Sequence, residues 1–447
     1  MVSRPWDCGL GLRLVRVCNH RRVLRFSTTS RRFLTNPNTM SNSQRQRAQY
    51  WRGGTSNGVL VSGSDLPEWL EIREQHLDGR IDLKDCARLL QPLYRAIMGS
   101  PDPYQRQLNG MGGGLSSLSK AVIVDRSTDE DIDLDYLFIQ IGIKDGKLDL
   151  AGNCGNMTAA VAPFALNEGL IDAEVKAACS TSRSALSTQT QLMTIRLRNL
   201  NTNRIIDAEI YAGRLNSSNQ ICFQERGDYI LDGVPGYASP ITLSFLSPGG
   251  AKTGKALPTG KSLDDLEYSP GKSIRASLLD ISNPGVFIDG REVGWRPEFT
   301  PEQLNADTEL MCRLEMIRRA GATKMGLDPE TPSVPKVVLL FPPATDDVHI
   351  NCQALSMEQA HKAVPMTLGL NLGVACNMPG TMANELARHR NGRRINAVVI
   401  GHPSGKVEVG ADISAVGEIV SAKVVRTARC LMEGWVNIES SAKVTLG

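Results

Sequence analysis

The feature that most constrains this chain is a helix-opening string that occurs twice. Cys154-Gly155-Asn156-Met157-Thr158-Ala159-Ala160 leads into an Ala-rich run over residues 157–166. Cys376-Asn377-Met378-Pro379-Gly380-Thr381-Met382-Ala383 repeats its style 222 residues further on. Each string follows strand-like segments and a Gly-bearing turn. A chain that repeats this order is expected to form two similar lobes, each with strands wrapped on a central helix. Short β-branched segments bounded by turn residues supply the strands, among them 120–124, 137–143, 192–197, 336–341 and 396–401. Helices are expected at 83–98, 156–167, 301–320, 357–368 and 375–388, with a further one at 425–432. The fold class is therefore α+β. The Pro/Gly-rich segment 232–240 is the best boundary, which gives an N-terminal lobe at 41–238 and a C-terminal lobe at 239–447.

Length agrees with two lobes, because 447 residues exceed one ordinary hydrophobic core. Net charge is +3, but residues 1–40 alone hold eight Arg against one acid, Asp7, so the remainder is net negative. An acidic body argues against nucleic acid as a partner, since counterion release needs many cationic contacts to phosphate. No apolar run approaches the roughly 18–20 residues of a membrane helix. The leader is rich in Arg, carries Ser and Thr and lacks Lys, and it has no continuous apolar core. It reads as a mitochondrial presequence or a disordered basic tail. A start at Met40 would give a complete body without it, and hence a cytosolic form. The ten Cys include no C-x-x-C pair and no zinc-like spacing with the six His, so neither a metal nor a disulfide framework is expected.

Several motifs carry chemistry. Gly249-Gly250-Ala251-Lys252-Thr253-Gly254-Lys255 resembles a phosphate loop, but Ala256 stands where a metal-binding hydroxyl belongs. The preferred reading of Thr253-Gly254-Lys255 is a carboxylate contact. Arg52-Gly53-Gly54-Thr55-Ser56 can present N–H and O–H donors to an anion, or simply form a tight turn. Asn109–Lys120 contains three consecutive Gly, which cost backbone entropy and suit close approach of a ligand or of backbone. Lys120 ends that loop and enters an apolar strand, where burial would lower its pKa and fit it for proton transfer. Cys154, between Asn153 and Gly155 at a helix start, sits where N–H groups and the helix dipole stabilise a thiolate or a bound carboxylate. Cys376 shares that local logic but has no preceding Lys partner, so packing is its expected role.

Read in order, Arg52–Ser56, the loop 112–120, Gly152–Asn156, Asp280–Pro284, His361-Lys362-Ala363, His402-Pro403-Ser404-Gly405 and Arg426-Thr427-Ala428-Arg429 resemble the methylaconitate isomerase (PrpF) family. Its members include aconitate Δ-isomerases and oxalomesaconate tautomerases. The resemblance implies a diaminopimelate epimerase-like fold: two similar lobes, each a curled, mostly antiparallel sheet around a central helix, with the active site in the cleft between them. It implies catalysis with no metal or organic cofactor, and it puts the catalytic lysine and cysteine on Lys120 and Cys154. Substrate contacts are expected at Arg52, Thr55, Ser56, Gly113, Gly114, Ser119, Asn156, Met157, Lys255, Asn283, Ser356 and Lys362. The implied partner is a small tricarboxylate, neither nucleic acid nor membrane, and self-association stays open. The chain departs from the family at Asn57, where Lys commonly follows the Arg-Gly-Gly-Thr-Ser string. The surroundings of Cys376 also lack the Cys-Gly pair of two-cysteine racemases.

The expected activity is isomerisation of an unsaturated tricarboxylate, cis-aconitate to trans-aconitate or a methylated analogue. The alternatives are keto–enol tautomerisation of an oxo-acid and non-catalytic carboxylate binding. Fused to a fluorescent protein, residues 1–40 should direct it to mitochondria. The same reporter fused to a chain started at Met40 should stay cytosolic, and cytosolic signal from both would refute the presequence reading.

Overall fold

The computed structural model describes residues 43–172, 190–214, 221–296, 298–388, 395, 397–414 and 419–439. The leader, with Cys8 and Cys18, and also Cys179 lie outside the described residues. No described helix is long and apolar enough to cross a membrane.

One order of elements occurs twice. In the first lobe, strand Ser43–Gly53 turns into Ser56–Ser62, its antiparallel partner. Helices α1 (Trp69–Leu77) and α2 (Leu83–Met98) follow. The strand Lys120–Arg126 then pairs in parallel with Ser56–Ser62 and antiparallel with Leu134–Ile141. After α3 (Gly155–Asn167), strand Thr190–Asn199 returns parallel to Leu134–Ile141 and hairpins into Arg204–Arg214. The second lobe repeats this. Lys272–Ile281 and Asn283–Asp289 form the hairpin, and α4 (Pro301–Ala306) and α5 (Thr308–Lys324) follow. Lys336–Phe341 pairs in parallel with Asn283–Asp289 and antiparallel with Ile350–Ser356. Then come α6 (Met366–Ala375), α7 (Met382–Leu386) and the hairpin Ala397–His402 with Gly405–Ile413. The strand Ile241–Leu246 joins the lobes by pairing with Arg204–Arg214 on one side and Ile419–Arg426 on the other. The last strand, Ala428–Glu439, returns to pair with the first.

The central helices explain the wrapping. Every residue of α3 from Gly155 to Leu166 is buried, and so is every residue of α6. A helix that is apolar on all sides needs protein on all sides, and the strands curl round to provide it. The outer helices behave differently. Helix α2 is amphipathic and opens with a reciprocal capping box between Asp82 and Asp85. It buries Leu90, Tyr94 and Ile97 against the outer face of the sheet, on Val59, Ile123, Leu137 and Ile139. Helix α5 does the same in the second lobe, through Leu310, Leu314 and Ile317.

Four expected helices are corrected, the first being that at 301–320, which Asp307 breaks by ending α4 and capping α5. The helix expected at 357–368 starts only at Met366, because Met357 and Glu358 have φ of 54° and 56° and form a tight hairpin turn into Gln359–Ala360. The helix expected at 375–388 is reduced to Met382–Leu386. Cys376 therefore caps the C-terminal end of α6 rather than opening a helix. The helix expected at 425–432 is instead the end of one strand and the start of the next, meeting at Thr427.

Strand Leu134–Ile141 carries side chains to the interior and the exterior by alternation. Tyr136 and Phe138 face α3, while Leu137, Ile139 and Ile141 face α2. Its register is pinned by Asp135, fully buried opposite Arg198, which donates from Nε at 2.7 Å and from Nη2 at 3.0 Å. Replacing Asp135 by Ala should cost about 3 kcal/mol in urea unfolding, because it leaves a largely buried guanidinium with only Asp129 at 3.4 Å and the Ser127 hydroxyl at 3.2 Å. A loss below about 1 kcal/mol would show that the pair is not a register lock.

Candidate active site

The N-termini of the two central helices meet. Gly155, the first residue of α3, packs so closely on Met366, the first residue of α6, that a Cβ at 155 would overlap the Met366 side chain. Beside this contact lies a cavity of about 440 Å³, walled by both lobes. Neither helix has a side-chain N-cap, whereas α2, α4, α5 and α7 are capped by Asp82, Thr300, Asp307 and Thr381. The first N–H groups of a helix have no intrahelical acceptor, so both dipoles present positive ends at this point.

Cys154 is the N-cap residue of α3, in extended conformation, with its half-buried thiol in the cavity wall. The loop is held from behind. Tyr136 accepts at 3.1 Å from Nδ2 of Asn153 and shares a 2.9 Å bond with Oγ1 of Thr158, one turn into the helix. Asn156 reaches the first lobe's opening turn, donating to Oγ1 of Thr55 at 3.0 Å and accepting from Nε of Arg426 at 3.2 Å.

Lys120 lines the cavity at 6% exposure. Its Nζ donates to Oε1 of Gln140 and sits 5.4 Å from the centroid of Phe138. Burial lowers its pKa, and the neighbouring Cys154 and Asp149 partly oppose that shift. Gln140 is oriented in turn, donating from Nε2 to the carbonyls of Ser116 and Ser119 at 3.1 and 3.0 Å.

Of the expected contacts, Thr55, Ser56, Asn156, Ser356 and Lys362 line the same cavity as Lys120 and Cys154. Lys362 stands at its exposed side, paired with Glu302 at 2.7 Å. The others lie off the cavity wall. Arg52 donates to the carbonyls of Gly54 and Thr427 and to the Thr427 hydroxyl, each at 3.0 Å. Gly113 and Gly114 belong to a loop folded on its own protein: Oε1 of Gln107 accepts from the N–H of Gly114 at 3.0 Å, and Nε2 of Gln107 donates to Ser119 at 2.8 Å. Met157 is core beneath Gly58. Asn283 is fully buried behind Gly152, its side-chain amide unpartnered among the described residues. Lys255 lies in a loop whose Thr253 donates to Asp280 from both N–H and hydroxyl, so the phosphate-loop string is spent on an internal carboxylate.

Three more residues complete the wall: Asp149 and Lys336, which the sequence does not single out, and His361, which stands in the His361-Lys362-Ala363 string without an expected role. Asp149 links the lobes, accepting the N–H of Ser333 at 3.2 Å. The Nε2 of His361 shares a 3.1 Å bond with Oγ of Ser116. Burial and the nearby Lys120 and Lys336 push its pKa down to about 4, so the imidazole is neutral at physiological pH. Lys336 is 8% exposed and donates to the carbonyl of Ser333 at 2.9 Å. The cavity thus offers buried cationic groups, two helix N-termini, a thiol and hydroxyls. That set suits a small polyanion and the transfer of a proton on it.

Two curled lobes around central helices whose N-termini share a cleft define a protein of the diaminopimelate epimerase-like class. Within that class the chain belongs to the PrpF family, whose model, described as PrpF protein, matches residues 43–439. It is 34% identical to a 2-methyl-aconitate isomerase of Shewanella oneidensis, over 88% of this chain and 96% of that one. It is 31% identical to a 3-methylitaconate isomerase of Eubacterium barkeri, over 91% of this chain and all of the other. A crystal structure of methylitaconate-delta-isomerase superposes with a TM-score of 0.64 at 29% identity, covering 91% of this chain and 98% of that one.

The structure gives the Gly53-Gly54 pair a specific role. A Cβ at Gly53 would overlap the Asn156 carbonyl, and one at Gly54, where φ is +52°, would overlap the Asn156 side chain. The glycines seat the first turn of α3. Gly53→Ala should therefore cost about 1–3 kcal/mol in thermal unfolding, as overpacking does. Unchanged stability with lost anion binding would instead identify the pair as a ligand nest.

Proposed function

We propose that the protein is a cofactor-independent isomerase that moves or inverts the C=C bond of an unsaturated tricarboxylate, cis-aconitate or 2-methylaconitate, by removing and returning a proton. The observation that carries this reading is the placement of Lys120, buried and with a lowered pKa, beside Cys154 at the open N-terminus of α3 in one cavity. The names of the relatives at 34% and 31% identity support the substrate class.

The chemistry follows from the residues. A methylene between a carboxylate and a C=C bond loses a proton to give a dienolate-like carbanion. Negative charge then grows on carboxylate oxygens. Donors fixed before the reaction stabilise it at little reorganisation cost, usually the largest contribution in such catalysis. The helix N-termini at Gly155 and Met366 and the hydroxyls of Thr55 and Ser56 supply them. One member of the Lys120–Cys154 pair takes the proton. The pair returns it to another carbon of the allylic system, or to the same carbon after rotation about the former double bond. A lysine with a lowered pKa carries a usable fraction of free amine, which fits it for either step. Gln140 and Phe138 fix the direction of its Nζ. Asn57, the departure from the family string, pairs across the hairpin with Arg52 and does not line the cavity. Its neutrality therefore removes no charge from the wall.

Incubation with cis-aconitate and with 2-methylaconitate in deuterated water, followed by proton NMR, should show alkene rearrangement with deuterium incorporation. Lys120→Ala and Cys154→Ser should each lower kcat/KM by about 10²–10⁴-fold. Turnover of oxalomesaconate alone would favour a tautomerase. No change in any of these substrates would sink the isomerase reading, and near-normal rates in both variants would refute the pair.

A further inference from the structure

A second pocket opens in the C-terminal lobe, with a volume of about 300 Å³. It lies at the start of the strand Ile350–Ser356, on Asn351, Cys352 and Gln353, whereas the far end of that strand, Ser356, reaches the active cavity. No described residue lines both.

Three aromatic side chains line this second pocket. Phe341 is buried against Gly290, where a Cβ would overlap its ring. Trp295 is buried and tied to the same turn, donating its backbone N–H to the Gly290 carbonyl at 2.9 Å. Phe299, partly exposed, meets Trp295 edge to face with ring centroids 4.9 Å apart.

The polar groups of the wall are acceptors. Gln353 is 3% exposed, and its Nε2 donates to the carbonyls of Ala354 and His361 at 3.0 and 2.9 Å. Those two bonds fix the amide and leave Oε1 buried with no donor among the described residues. Nδ2 of Asn351 donates to the Pro342 carbonyl at 3.3 Å, which turns Oδ1 toward Gly401. Glu298 is exposed and adds a carboxylate. No described Lys or Arg lines the pocket. His402 does, but burial and the Arg426 cation push its pKa down to about 4, so it is neutral at physiological pH. Burial keeps the Cys352 thiol protonated.

These groups are complementary to one chemistry. Aromatic rings attract a cation through their quadrupole, a carboxylate makes a charge-assisted bond to it, and an amide oxygen without a donor takes an N–H. An anion would meet Glu298 with no cation in the wall. The pocket is therefore opposite in sign to the active cavity.

We propose that this pocket binds a small protonated amine with an apolar body. Glu298 and the Oε1 of Gln353 hold the ammonium, and Trp295, Phe299 and Phe341 hold the body. The isomerase reaction has no use for such a ligand, so this is a second binding function of the C-terminal lobe.

The test is calorimetric titration of the full chain with benzylamine, which is protonated at pH 7, and with benzyl alcohol, which has the same body without the charge. The amine should bind about tenfold more tightly than the alcohol. Excess propane-1,2,3-tricarboxylate should leave its affinity unchanged to within about twofold, because the two sites share no residue. Glu298→Lys should weaken amine binding about tenfold and Phe299→Leu about threefold. Should Glu298→Lys disturb the loop, Glu298→Gln decides, with an expected weakening of about threefold. Absence of amine binding, equal binding of amine and alcohol, displacement of the amine by the tricarboxylate, or unchanged affinity in the Glu298 variants would each overturn the assignment.

Discussion

The structure depends on burying two helices on every side. Helices α3 and α6 are mostly apolar and bond their few polar side chains, such as Asn156 and Asn371, to protein, so each must be enclosed, and the strands of each lobe curl until it is. Enclosure leaves the helix ends as the points of access. Where the lobes meet, the two N-termini come together at the Gly155–Met366 contact, and neither has a side-chain cap. The cleft therefore carries unsatisfied N–H groups and aligned dipoles before any charged side chain is counted. A carboxylate satisfies both. The preference for an anion is in this sense a consequence of the architecture, and side chains from the strands refine it into a site.

That hierarchy determines which parts were legible in the sequence. Cys154 was legible because its signal is local: a polar, Gly-bearing N-terminus before an Ala-rich run. Lys120 was legible because a lysine that leads an apolar strand out of a Gly-rich loop is forced toward the interior, where its charge is costly. The repeat was legible as an echo but in the wrong register. Cys376 looked like a helix start because Asn377 and Gly380 are terminus signals. The true start of α6 is at Pro365-Met366, with nothing polar to announce it. The N-terminus of this central helix opens on the cavity without a side-chain cap, so a helix start recognised by its cap goes unseen there.

Glycine-rich segments were legible as places of close approach but not as to what approaches. Gly53 and Gly54 receive Asn156, and Gly112 and Gly114 receive Gln107 and Gln105. In each case a protein group occupies the space that a ligand could have taken. Both uses ask the same thing of the backbone, absence of a Cβ, and only tertiary structure distinguishes them. Arg52 and Lys255 follow the same logic, since cations close in sequence to such loops are consumed by carbonyls or lie off the cavity.

Lys336 and Asp149 carried no motif, because what places them is topology, and His361 stood in a recognisable string that gave it no role. A duplicated strand order brings Lys336 to the site as the counterpart of Lys120, although the flanking residues differ: Ser119-Lys120-Ala121 against Pro335-Lys336-Val337. The surviving trace is a Gly-Val step in the neighbouring strand, Gly58-Val59 beside Lys120 and Gly285-Val286 beside Lys336, which is too short to be recognised without the pairing. The electrostatic result is also invisible in composition. The body is net negative, while the cleft between its lobes gathers two buried lysines and two helix N-termini. A low-dielectric cleft concentrates the field of its own walls and is little affected by exposed acids, which solvent screens. A polyanion is therefore drawn to the cleft in preference to the acidic surface around it. Selectivity for a multiply charged substrate follows from this contrast, with no need for an overall basic protein.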